Sequence, residues 1–196
     1  MTIASAAVLL ILILDPFGNL VTINTLLREI EETRRRAIIL RESAIAFAVL
    51  IFFFLVGEPL LGFLGLEASS LAISGAIILF LIALGMVFPT RRMVSDSLDE
   101  EPLIVPIALP LIAGPTTIAA ILLMTTKGEL HPLEMLAAIT IACAVSTVIL
   151  WGSPGIFRRL GHRGAVAVER LMGMLLVMIA VQMFLDGIAQ YFESHP

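Results

Sequence analysis

Charge is what this chain has least of. Of its 196 residues only 14% are Asp, Glu, Lys or Arg, against about 25% in ordinary soluble domains. Lysine occurs once, at Lys127. That shortage, with 59% hydrophobic residues, excludes a soluble globular domain and reads as an integral membrane protein. A single cysteine, Cys143, excludes an internal disulfide and leaves no redox-compartment signal. The three histidines, His131, His162 and His195, fall in loops or the tail, too scattered for a metal site, so neither metal nor cofactor is expected. The net charge of −4 gives no reason to expect a nucleic-acid partner. Gly-x-Ser-x-Gly, His-Glu-x-x-His and paired intramembrane aspartates are all missing, so the expectation is no enzyme. The N-terminus lacks a positive region and a small-residue cleavage site, and is read as retained rather than as a signal peptide.

What the chain has is long apolar runs. They are near the roughly 20 residues of a membrane helix, not the alternating strands of about 10 residues in an outer-membrane barrel. Six spans are expected: Ile3–Leu27, Ala37–Gly57, Ala68–Phe88, Leu103–Thr125, Leu133–Trp151 and Leu171–Ile188. All eleven arginines fall on one side, in or next to the loops after spans one, three and five: five from Arg28 to Arg41, then Arg91 and Arg92, then Arg158, Arg159, Arg163 and Arg170. The other two loops hold one basic residue between them, Lys127. The positive-inside rule therefore places the arginines in the cytoplasm and both termini outside, and topology is the role expected of them.

Two parts of the chain resemble each other at an offset near half its length. Leu71–Phe88 matches Glu169–Gly187 when Gly75 is laid on Gly173, and Asp15-Pro16 then falls close to Gly114-Pro115. A repeat of three spans must sit inverted in the bilayer. The expected fold is an all-α membrane protein, one transmembrane domain over 1–196, with inverted repeats of about 1–95 and 100–196. Helices 1 and 4 should be discontinuous, which is where a secondary transporter holds its substrate.

Both breaks read as helix starts, with an N-cap residue followed by proline at the first helical position. Upstream half-helices should end near Leu14 and Ala113. Unpaired N–H groups around Phe17–Asn19 and Thr116–Ile118 suit a carboxylate, and the upstream carbonyls suit an ammonium or a small cation. A free amino acid has both poles. The candidate substrate-binding residues are Asp15, Phe17, Gly18, Asn19, Gly114, Thr116 and Thr117, and their short side chains favour a small neutral substrate. Asp15 is read as the only ionisable residue deep in an apolar span. Burial there costs roughly 2.5–3.5 kcal/mol on insertion scales and marks ion or substrate pathways. A carboxyl can take up and release a proton, so Asp15 is also the expected proton carrier. The local alternative is that it only caps the N–H groups of Phe17 and Gly18. Gln182 and Asn24 either line the cavity or bond between helices. Asp186 is read as interfacial. Thr140, Ser146 and Thr147 are expected to bond their own helix carbonyls, and Gly75, Gly173 and Ala180 to permit close helix contact.

"DPFGNL", "SGAIILFLIAL", "PLIAGPTTI" and "ERLMGMLLVMIAVQM" resemble the MarC family over nearly the whole chain. The resemblance implies a six-span inner-membrane protein, of the kind described as neutral amino acid transporters of the SnatA type, with glycine and alanine as the substrate class. Val21 stands where the family often has proline. Thr116-Thr117 replace a Gly-Ala pair, and Ser74-Gly75 replace a Gly-Gly pair. The leading reading is a proton-coupled secondary transporter. An exporter of drugs or other metabolites, a channel and an intramembrane enzyme are the alternatives. Direction of transport and oligomeric state are left open.

Overall fold

The computed structural model describes residues 1–27, 30–88, 114–126, 128 and 130–194. These form seven helices: α1 (Ile3–Leu14), α2 (Asn19–Leu26), α3 (Glu32–Leu64), α4 (Ala68–Val87), α5 (Pro115–Thr126), α6 (Pro132–Trp151) and α7 (Ser153–Ser194). No strand occurs among the described residues. Four helices, α3, α4, α6 and α7, are long and apolar enough to cross a membrane, while α1 and α5 are shorter apolar helices.

The first expected span is two helices, because the chain leaves helical geometry at Asp15. Expected spans three and five match α4 and α6 to within a residue at each end. The second is longer than expected. α3 runs for 33 residues, about 50 Å at 1.5 Å per residue, against a hydrocarbon core of roughly 30 Å. It starts on the arginine-rich segment, carries Pro59 inside and stops only at Gly65, whose left-handed φ of 65° closes the helix. The sixth is longer too: α7 begins at Ser153, bends at Gly161 (φ 69°, ψ 172°) and continues to Ser194. Hydropathy marks the part that lipid can touch, whereas a helix continues until a cap ends it. The first part of the fourth expected span, together with Arg28, Arg91, Arg92, Ala113, Lys127 and His195, lies outside the described residues.

Local signals set the starts. Thr2 and Ser5 form a reciprocal capping box at α1, with N–H to Oγ distances of 2.9 and 3.2 Å. At α6, Pro132 occupies the first turn and Glu134 accepts the His131 N–H at 2.9 Å.

Between membrane helices, lipid offers as good an apolar surrounding as a leucine, so close packing takes over from the hydrophobic effect. α4 and α7 make the most extensive pair. A Cβ at Gly173 would lie 2.9 Å from Met86 Cβ and 3.0 Å from the Ala83 carbonyl, and one at Gly75 would lie 2.5 Å from Ala119 Cβ. Both glycines therefore do permit close approach, and Ala180 is buried in the same α4–α7 seam beside Leu79, Ala83 and Leu176. A larger core joins α1, α2, α3 and α6 through Ala7, Leu10, Ile23, Ile39, Leu50, Ala138 and Cys143, among others. The outer faces present Phe52, Leu55, Leu81, Val148 and Met178 uncovered, the pattern of helices solvated by acyl chains.

Candidate functional site

At the end of α1 the chain turns on Asp15, the one non-glycine residue with positive φ among those described (φ 45°, ψ 58°). Pro16 disfavours a right-handed helical conformation in the residue before it, and Asp is one of the few side chains that tolerates the left-handed one. The Asp15 N–H still donates to Ile11 O at 3.0 Å, so it closes α1. Its side chain acts forward: Oδ1 accepts the Gly18 N–H at 3.0 Å. Its carbonyl accepts the Asn19 N–H at 3.1 Å. Asn19 reaches back and donates its amide to Leu14 O at 3.2 Å, which ties α2 to the end of α1.

This corrects the simple N-cap expectation. Pro16, Phe17 and Gly18 form a turn, and α2 begins at Asn19 rather than at Pro16. Two of the N–H groups expected to be unpaired, those of Gly18 and Asn19, are engaged by Asp15 itself. Phe17 points largely outward, at 37% exposure, whereas Asp15, Pro16 and Gly18 are buried. Gly18 has no room for a side chain, because an added Cβ would collide with the Asp15 carboxylate and the Met86 methyl group.

At the second break Pro115 starts α5 as expected, but two of the N–H groups expected to be unpaired, those of Thr117 and Ile118, are engaged by the Gly114 carbonyl. Gly114 precedes Pro115, the first residue of α5, and its carbonyl accepts the Thr117 and Ile118 N–H groups at 3.1 and 3.2 Å. Thr116 and Thr117 are both buried. The two breaks belong to touching elements: Ile13, two residues before Asp15, packs in one cluster with Ala119 and Ala120 of α5.

Asp15 is not alone as a buried acid. Glu169 of α7, the helix against which α2 packs, is 8% exposed. Glu42 of α3 is completely buried. Sequence reading missed both because each adjoins an arginine, Arg170 or Arg41, and looks like part of a solvated charged run. One arginine has a structural role. Arg35 donates from Nε and Nη2 to Leu27 O, at 3.1 and 2.6 Å, and from Nη1 to Asn24 Oδ1 at 3.3 Å. It thereby binds the C-terminal end of α2, the negative end of the helix dipole, to α3.

Of the other polar residues, Asn24 takes the interhelical role, bonding Arg35 and its own Leu20 carbonyl at 2.8 Å. Gln182 is exposed and pairs with Asp186 at 2.8 Å, so it does not line the interior. Thr140 and Thr147 bond carbonyls of their own helix as expected, whereas Ser146 does not: its buried Oγ has no partner. Among the described residues no group of three or more His, Cys, Asp or Glu is arranged to hold a metal. A cavity of about 250 Å³ lies between α4 and α7 by Phe80 and Phe184, and one of about 530 Å³ lies by Arg163, Arg170 and Met174. Neither is lined by a residue of the two breaks.

A bundle of apolar helices with a sharply turned, acid-bearing break inside its first span defines a polytopic α-helical membrane protein. The MarC family integral membrane protein model matches residues 1–192, and the chain belongs to that family. It is 48% identical over 194 residues, 98% of each chain, to the UPF0056 inner membrane protein YhgN of Escherichia coli strain K12. A UPF0056 membrane protein of Buchnera aphidicola subsp. Schizaphis graminum is 43% identical over 194 residues, again 98% of each chain. One from Aquifex aeolicus is 31% identical over 191 residues, covering 91% of this chain and 88% of its own. No solved structure matches.

Proposed function

We propose that this protein is a secondary transporter of small neutral amino acids of the glycine and alanine class. It works in the inner membrane, where the name of the Escherichia coli relative places that protein, as six spans in two inverted halves with both termini outside. The observation that carries the reading is the buried Asp15 at a left-handed turn inside an apolar span. Lipid cannot satisfy such a break, so it must face protein or a watery cavity, and an intramembrane carboxylate marks an ion or substrate path.

Packing supports the two-halves reading. α5 lies against α4 while α2 lies against α7, the exchange of partners that a two-fold axis between the halves gives. In this reading the substrate ammonium lies toward the acidic side made by Asp15 and Glu169. Its carboxylate lies toward the α5 N-terminus at Gly114, Thr116 and Thr117, where the helix dipole is positive. Gly18 and the small residues Ala119 and Ala120 keep the space narrow, which disfavours a bulky drug. Asp15 carries the coupled proton, and Asn19 links the two half-helices as the site changes access.

Uptake of a panel of labelled amino acids into proteoliposomes tests the reading. Glycine and alanine should enter and compete with one another, while leucine, glutamate and a cationic drug should not. A panel in which the drug is moved and the small amino acids are ignored would replace this reading with an exporter.

A further inference from the structure

Beyond its bend at Gly161, α7 has two distinct faces. Ala165, Glu169, Met172 and Leu176 are buried, and Gly173 lies against Met86 and Ala83 of α4, so that face belongs to the bundle. Arg163, Val166, Ala167, Arg170, Leu171 and Met174 recur at helical spacing on the other side. Together they line the groove of about 530 Å³, a volume within the range of ligand sites, roughly 300–1,000 Å³. The groove begins at the bend itself, where His162 joins the lining and its ring lies 6.4 Å from that of Phe157.

The groove is basic at one end and apolar at the other. Arg163 and Arg170 are exposed, and among the described residues no ion pair or hydrogen bond engages either guanidinium. They stand seven residues apart, about 10 Å of rise along the helix, and side chains of their length can lean toward a common point. After Arg170 the helix carries no charge until Asp186. Leu171 and Met174, at the start of that uncharged stretch, are both more than half exposed. Arg170 thus stands where a membrane helix passes from headgroups into hydrocarbon. The acid beside it, Glu169, is on the buried face, and α2 and α4, which pack on α7, have no charged residue.

Charge and polarity together select the occupant. A soluble anion would satisfy the arginines and leave Leu171 and Met174 uncovered. An acyl chain alone would cover the apolar end and leave two cationic groups unneutralised. A phospholipid of net negative charge does both: its phosphate accepts charge-assisted hydrogen bonds from the guanidinium groups, and its chain follows the helix into the bilayer. His162 adds a ring N–H donor at the outer end. A zwitterionic lipid brings its own ammonium to the same place and is attracted less. Arginines that only orient a chain need to be on one side of the membrane, not in a shared groove with an apolar floor. Arg158 and Arg159, before the bend, line no part of it.

We propose that this groove is a binding site for an anionic phospholipid, its phosphate held between Arg163 and Arg170 and one acyl chain lying along Leu171 and Met174. The site holds whatever the bundle carries, because it needs only that the chain sits in a membrane. The test is native mass spectrometry of the full chain in detergent, stripped of lipid and titrated with phosphatidylglycerol, phosphatidylcholine or glycerol phosphate. Phosphatidylglycerol should bind most tightly. Arg163→Gln and Arg170→Gln together should weaken it roughly tenfold or more, the scale of two arginines at an anionic headgroup. Arg158→Gln with Arg159→Gln removes the same charge outside the groove and should leave binding near wild type. Phosphatidylcholine or glycerol phosphate binding as tightly, or equal losses in the two double variants, overturns the site. A second measurement needs no variant. Phosphatidylglycerol with a photoreactive acyl chain, reconstituted with the wild type, should cross-link preferentially at Leu171 and Met174. Labels spread evenly over the outward residues of α3, α4 and α6 overturn the site as well.

Discussion

At Asp15 three local demands meet. The backbone is left-handed, the N–H closes α1, and the carboxylate holds the Gly18 N–H that leads into α2. Asparagine satisfies all three, because it tolerates the left-handed region and caps about as well as aspartate. Alanine fails two of them, losing a cap of about 1 kcal/mol and meeting a left-handed cost of roughly 1–2 kcal/mol. Thermal unfolding in detergent should therefore leave Asp15→Asn near wild type and lower Asp15→Ala clearly. Equal melting temperatures for the two would show that the turn is not held this way. Asp15 was legible in the sequence because an acid stands out in an apolar run. Glu42 and Glu169 were not, since an acid beside an arginine looks the same in sequence whether the pair is solvated or driven inward by packing. The unbonded hydroxyl of Ser146 was illegible for a related reason: local chemistry favours the back-bond, and only the tertiary setting withholds it.

At the scale of elements, the breaks depend on prolines. Pro16 keeps Asp15 out of the right-handed helix, and Pro115 starts α5 where no intrahelical N–H is needed. Pro16→Ala and Pro115→Ala should let the helix run on, cutting transport at least tenfold while insertion and yield stay near wild type. Wild-type rates in both would remove the breaks from the mechanism. The α4–α7 seam makes a different demand. Gly173→Leu puts a side chain where a Cβ alone already meets Met86 and the Ala83 carbonyl, so unfolding should become easier by about 1–3 kcal/mol or more. The same change at Gly62, where nothing lies near, should be close to neutral. The middles of the helices were legible from hydropathy. The ends of α3 and α7 were not, because their extensions leave the apolar zone and are ended by Gly65 or bent at Gly161. The expected starts at Ile3, Ala68 and Leu133 lie within a residue of those of α1, α4 and α6, whereas Asp15-Pro16, written as a cap and a proline, is followed by a turn and the helix begins only at Asn19.

For the whole molecule, the arginine distribution makes the orientation testable. With Cys143 replaced, a cysteine at Lys127 should react with an impermeant thiol reagent in intact cells and one at Arg92 should not. Equal labelling, or the reverse, would overturn the assignment of both termini to the outside. The proposed two halves were legible in the sequence only as matching motifs. What supports them in space is the packing of α5 on α4 and of α2 on α7, which no sequence pattern displays. The central claim is that this bundle moves a small amino acid uphill on the proton carried by Asp15. Its most direct measurement is labelled alanine in proteoliposomes under an imposed pH gradient, comparing wild type with Asp15→Asn. The wild type should concentrate alanine above the external level, and Asp15→Asn should only equilibrate or exchange it. Alanine that wild type fails to concentrate, or that Asp15→Asn concentrates equally well, would contradict the account.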